Sequence, residues 1–224
     1  MVAAGWWLSS LAVSLPQLTL TYGLLMGTGV GLAYGAPMEV AAGWFPQRPG
    51  LAVGVVLAGF GLSPLLTAPL AARLLETGGL AASFRTLGTA FALAFLLLVP
   101  MLLPSGSRPV PPEQAGPGLP PDRMVRSRPF RSLYLSFLLA TAIGLSLIGL
   151  SAPLASTYTL PDFLPALSLF ALFNGLGRPL FGWISDRFGP DRAMALSFGL
   201  ILTASLLMTV AGSRPAVFLT AFCL

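Results

Sequence analysis

Long stretches of this chain carry no charged side chain at all: residues 1–38, 49–72, 86–107, 132–161 and 193–213. A helix needs roughly 20 consecutive apolar residues to cross a bilayer, and most of these runs reach or exceed that length. A water-soluble fold of 224 residues has too little interior to hide them. Hydrophobic residues make up 55% of the chain and charged residues only 8%, which places it outside the soluble class. The expectation is an all-α, multi-pass membrane helical bundle.

The runs predict helices at about 17–45, 50–75, 82–103, 132–155, 162–185 and 191–212, with boundaries good to a few residues. Two shorter pieces flank them. Residues 2–15 stop before Pro16, and residues 215–224 form a short final segment. Met1 is not followed by the basic region of a signal peptide. The expected organisation is a partial first helical half at 1–103, a cytoplasmic linker at 104–130 and a partial second half at 131–224. The linker is rich in Pro, Gly and Arg and has no apolar periodicity.

Alternating the connections sorts the arginines into two sets. One holds Arg48, Arg108, Arg123, Arg126, Arg128, Arg131, Arg187 and Arg192; the other holds Arg73 and Arg214, with Arg85 at its edge. Cytoplasmic loops carry the excess of positive charge, so the first set is expected in the cytoplasm. This accounts for the pI near 10.4 without nucleic acid as a partner; the partner expected instead is the lipid bilayer.

Several chemistries are excluded by inventory. The chain has no His, and all twelve basic residues are arginine. A Ser–His–Asp triad or a His-containing metal site therefore cannot form. No paired carboxylates recur at helical spacing, so neither catalytic nor metal-ligating residues are expected, no cofactor is implied, and the chain is not read as an enzyme. Cys223 reads as a small hydrophobe. The Gly27-Thr28-Gly29-Val30-Gly31 run has neither the preceding strand nor the later acid of a dinucleotide loop. Nor is there a phosphate-binding Gly-Lys-Ser/Thr loop.

One cation stands apart. Arg178 lies between uncharged residues 163–177 and 179–185, and a guanidinium at the centre of a bilayer costs roughly 2.5–3.5 kcal/mol on insertion scales. Asn174, Arg178, Gly182 and Ser185 share one helix face, with Leu172, Phe173, Leu176 and Leu180 on the other. Two roles are open for Arg178: contact with a substrate anion, which is preferred, and an ion pair with an acid elsewhere. Asn174 is read either as a donor to the same anion or as a contact to a neighbouring helix. Pro179 has no N–H to give the Gly175 carbonyl, so Gly175, Gly177 and Pro179 mark a weakened turn suited to a hinge. Glu39 reads as an interfacial residue or an arginine's partner, with proton carriage as the alternative, and Trp44 and Trp183 read as interfacial residues. Gly23, Gly27, Gly31 and Gly35 recur every four positions, and Gly50 and Gly54 repeat the spacing; both rows are expected to permit close helix packing.

These residues carry a family resemblance. The run from Gly27 to Gly35, the segment Gly43-Trp44-Phe45-Pro46-Gln47-Arg48-Pro49-Gly50-Leu51-Ala52-Val53-Gly54, and Ala58-Gly59-Phe60-Gly61 resemble the oxalate/formate antiporter family of the major facilitator superfamily. Phe173-Asn174-Gly175-Leu176-Gly177-Arg178-Pro179 and Gly182-Trp183-Ile184-Ser185-Asp186-Arg187-Phe188-Gly189 continue the match. The related monocarboxylate transporters share the layout. The resemblance implies helices 3 to 9 of a twelve-helix fold plus the start of helix 10, with the missing helices of the parent chain as partners. It implies a secondary transporter for small organic anions, mono- or dicarboxylates, working by alternating access in a plasma or bacterial inner membrane. A non-transporting fragment and a carrier for another solute class are the alternatives. The family assigns the helix 8 arginine, here Arg178, to anion binding. Monocarboxylate transporters often place an Asp one turn earlier, where this chain has Asn174, so proton coupling through that pair is not expected. Gly182, Asp186, Arg187, Gly189 and Arg192 resemble the superfamily's helix 8–9 signature, whose acid and arginine latch the cytoplasmic gate; Pro190 and Asp191 replace residues that are often basic.

Overall fold

A computed structural model describes residues 1–102, 120–157, 163–210 and 217. Most of the expected linker, Asp162, Arg214, Cys223 and nearly all of the expected final segment lie outside the described residues. Among those described, the regular structure is entirely helical: α1 (Val2–Ser9), α2 (Leu15–Leu18), a π-helical segment (Thr19–Met26), α3 (Gly27–Trp44), α4 (Pro49–Leu102), α5 (Pro121–Arg126), α6 (Arg128–Thr157), α7 (Phe163–Phe188) and α8 (Pro190–Val210). Among the described residues, three stretches are long and apolar enough to cross a membrane: Pro49–Leu98, Arg128–Ser146 and Pro190–Val210.

The expected helix at 17–45 is a continuous path from Leu15 to Trp44 that changes winding along the way. Pro16 falls in the first turn of α2, where a missing N–H costs nothing. Two expected helices, 50–75 and 82–103, are the arms of α4. A straight helix of its 54 residues would reach about 81 Å, far beyond the roughly 30 Å of a bilayer core. Gly79 divides it, with φ 70° and ψ −177°, a conformation only glycine enters cheaply. The second arm begins with the Ser83 hydroxyl donating to the Gly79 carbonyl at 2.9 Å.

Side-chain neighbours fix the directions. Gly5 meets Met26, Gly29 meets Met1 and Val2, and Ser9 Oγ donates to Thr21 Oγ1 at 3.0 Å, so α1 runs antiparallel to the π segment and α3. Trp6 packs on Tyr22, Phe84 and Phe91, with ring centroids 5.4 to 5.9 Å apart. This cluster clamps α1 between the π segment and the second arm of α4. The first arm runs back alongside α3 and meets α7, which turns at Gly189 (φ 93°) into α8. The short helix Pro121–Arg126 was not anticipated. Its last turn carries Arg123 and Arg126, and six residues are too few to show an apolar period in the sequence.

Large apolar side chains point outward throughout: Leu66 is 80% exposed, Leu97 72% and Leu96 71%. In water such surface would be costly, at roughly 25 cal/mol per Å². Against lipid it is not. The fully buried apolar residues are mostly alanines, Ala41, Ala171, Ala193 and Ala204, as expected where small residues bring membrane helices together.

Candidate functional site

Among the described residues the closest helix contact is between the first arm of α4 and α7, and glycine makes it. A Cβ at Gly50 would stand 2.6 Å from both Asp186 Oδ1 and the Gly182 carbonyl. At Gly54 it would stand 2.5 Å from the Arg178 carbonyl, and at Gly61 2.7 Å from Gly175 Cα. Gly182 meets the Gly50 carbonyl, and Gly175 meets Leu62. The two backbones are in contact over three helical turns. Among the described residues the Gly23, Gly27, Gly31 and Gly35 row makes no such contact: nothing lies within 4 Å of a Cβ at Gly27, Gly31 or Gly35, and Gly23 faces only Thr19. The contact on that helix falls at Gly29, on a different face. Gly177 is also open.

This packing carries Arg178 to the junction of α3, α4 and α7. Its Nε and one Nη donate to Asn174 Oδ1, each at 3.4 Å, and the other Nη donates to Tyr34 Oη at 3.3 Å. The guanidinium carbon lies 5.1 Å from the centroid of the Phe60 ring, which is cation–π range. Phe60 and Tyr34 meet edge to face with centroids 5.7 Å apart. No carboxylate reaches Arg178 among the described residues. All three hydrogen bonds are long, and the group has five N–H donors. The site is a half-buried, uncompensated cation with spare donors, walled by two aromatic rings.

Tyr34 and Phe60 are the residues that reading by composition passes over. Tyr34 is the one hydroxylated aromatic in a glycine-rich helix, but which face it occupies depends on how α3 lies against α4.

Two turns along α7, about 12 Å from Arg178, Asp186 makes a second arrangement. The Gly50 N–H donates to Oδ1 at 2.8 Å and the Leu51 N–H to Oδ2 at 2.7 Å. The Ala52 N–H already bonds the Arg48 carbonyl at 3.1 Å, so Arg48 is the N-cap of α4 and Pro49 its first residue. Pro49 lacks an N–H, and Asp186 takes the next two. A carboxylate on one helix thus caps another 136 positions away, where the helix dipole also favours negative charge. Arg187 stacks over Phe188 at 5.9 Å. Arg192 is exposed at the start of α8, and Gly189 closes the turn, its N–H donating to the Ser185 carbonyl at 3.0 Å.

Apolar helices, a lone cation at their junction and capping at one end together describe a helical membrane protein built around an internal polar site. The sequence pattern of the Major Facilitator Superfamily matches residues 1–224, and the chain belongs to that superfamily. It is 30% identical to the oxalate:formate antiporter of Oxalobacter formigenes over 98% of its length and 53% of that protein's. Monocarboxylate transporter 13 of Bos taurus is 31% identical over 92% of the chain and 49% of its own length. Monocarboxylate transporter 9 of Mus musculus is 35% identical over 124 residues, 55% of the chain and 24% of that transporter. The chain spans about half the length of the relatives that match most of it.

Proposed function

We propose that this chain forms the helix 3 to 10 portion of a multi-pass secondary transporter for small carboxylates, with the anion bound at Arg178. The observation that carries this is a guanidinium that no carboxylate reaches among the described residues, held by Asn174 Oδ1, Tyr34 Oη and the Phe60 ring with donors to spare. An arriving carboxylate gains a charge-assisted, forked pair and relieves the cost of an isolated cation in apolar surroundings. Tyr34 Oη can turn its proton toward the anion while still accepting from Arg178. The names of two relatives, an oxalate:formate antiporter and a monocarboxylate transporter, support the same substrate class. Asn174 has no titratable proton, which favours exchange of one anion for another.

Asp186 and the Gly50–Gly182 contact act as the gate at the arginine-rich, cytoplasmic end. The capped arrangement supports a conformer shut at that end. Opening it breaks two hydrogen bonds and leaves two α4 N–H groups for water, so it is reversible at modest cost. Gly175, Gly177 and Pro179 lie between gate and site, where bending of α7 would link the two. The membrane assigned to this carrier is the plasma or bacterial inner membrane.

The test is uptake of labelled oxalate, formate and lactate into liposomes holding the protein, beside Arg178→Ala at matched insertion. Uptake that drops by at least tenfold in the variant supports anion binding at Arg178. Equal uptake makes the arginine structural, and no uptake of any of the three removes the substrate assignment for this chain.

A further inference from the structure

Among the described residues a second arginine also stands without an acid, on the other arm of α4. Arg85 lies six residues past Gly79 on the second arm of α4, about 9 Å along the helix axis. Its Nε donates to Ser10 Oγ at 3.3 Å, and Ser10, itself buried, donates to the Trp7 carbonyl at 2.6 Å. The terminal nitrogens have no partner among the described residues. Arg85 heads a groove of about 500 Å³ whose other walls are Trp7, Thr86, Thr89, Ala90 and Leu93. The Thr89 hydroxyl donates to the Arg85 carbonyl at 2.8 Å, whereas that of Thr86 has no partner among the described residues. Trp7 is 48% exposed and lies against Gly88, where a Cβ would stand 3.2 Å from its ring.

We propose that this groove binds one glycerophospholipid, with its phosphate on the Arg85 Nη groups and Thr86 Oγ1 and an acyl chain along Trp7, Ala90 and Leu93. The order of chemistry along the groove matches that ligand: cation, free hydroxyl, then apolar floor. The depth matches as well. The headgroup layer adds about 5–8 Å per leaflet to the hydrocarbon core, so a turn at Gly79 reaching water puts the Arg85 backbone at the edge of that core, from which its long side chain reaches back to the lipid phosphates. An exposed tryptophan favours that boundary. Arginine's planar fork suits a phosphate, and the Ser10 bond engages only Nε, which leaves the Nη pair for the ligand. A free phosphate would satisfy the cation but leave the Trp7, Ala90 and Leu93 floor wet; a lipid fills both.

Trp7 itself is the reporter. The protein is placed in digalactosyldiacylglycerol bilayers, which contain no phosphate, and titrated with dibrominated phosphatidylglycerol, a contact quencher of tryptophan. The Trp7 signal is the difference between the protein and W7F. We expect half-maximal quenching at a guest fraction roughly tenfold below random contact, as one charge-assisted pair supplies. R85Q returns the curve to random contact, and R85K, which keeps the charge but not the fork, falls between. Thr86→Val shifts the curve in the same direction and serves if R85Q does not fold. Identical curves for the protein and R85Q overturn the proposal, as does a Trp7 that no lipid quenches because protein covers the groove. Reversal by excess inorganic phosphate would identify a free-anion site and equally overturn it.

Discussion

Arg178 is held by contacts that are each long or soft, 3.3 and 3.4 Å hydrogen bonds and an aromatic face, and that is what a binding group requires. A tightly paired arginine would have to lose its partner before taking an anion. If Arg178 binds the anion as proposed, the fork matters: Lys keeps the charge but presents a single point, so Arg178→Lys is expected to retain insertion and lose roughly tenfold or more in carboxylate uptake. Tyr34→Phe removes one hydroxyl and little volume. A hydrogen bond to a charged group is worth about 1.5–3 kcal/mol, so KM for the anion should rise by roughly tenfold or more while the folded protein's thermal midpoint stays put. An unchanged KM would show that Tyr34 only packs against Arg178. Asn174 was legible at this scale because it lies one turn from Arg178 on the same helix; Tyr34 lies 144 positions away and was not.

At the scale of elements, α4 and α7 meet without intervening side chains, and their ends are joined by a cap. The two features predict different failures. Asp186→Ala removes the acceptor from two N–H groups, and losing a cap costs about 0.5–2 kcal/mol. Gly182→Ala instead drives a methyl into the Gly50 carbonyl, and overpacking of this kind costs about 1–3 kcal/mol. Both should favour the conformer open at the arginine-rich end. A cysteine at Leu51, in a Cys223→Ser background, should then react faster with an impermeant thiol reagent from that side. Combining the substitutions should give less than the sum, because either one already opens the same contact. Additive rates would mean that the cap and the glycine contact act separately. The glycine spacing on α4 was visible in the sequence, but spacing did not distinguish its row from that on the preceding helix. The row at Gly27, Gly31 and Gly35 has the same period but meets no neighbour within 4 Å among the described residues.

At the scale of the molecule, the reversal at Gly79 puts the two arms of α4 on antiparallel paths, and topology follows from it. Cysteines at Gln47 and Thr77, again without Cys223, are expected to label from opposite sides of the membrane, with a cysteine at Arg192 matching Gln47. Labelling of all three from one side would remove the multi-pass reading. The apolar, uncharged runs determined by themselves that this chain is helical and lies in a membrane, because burying so much apolar surface outweighs every local preference. They also marked Arg178, since one charge in such a run stands out without any structure. Tertiary structure decided what surrounds it. A period of 3.6 residues places side chains on a face but does not say which helix that face meets. Which glycines touch, where Asp186 finds its two N–H groups and which aromatics wall the cation all depend on contacts between distant segments, and only the packed helices fix those.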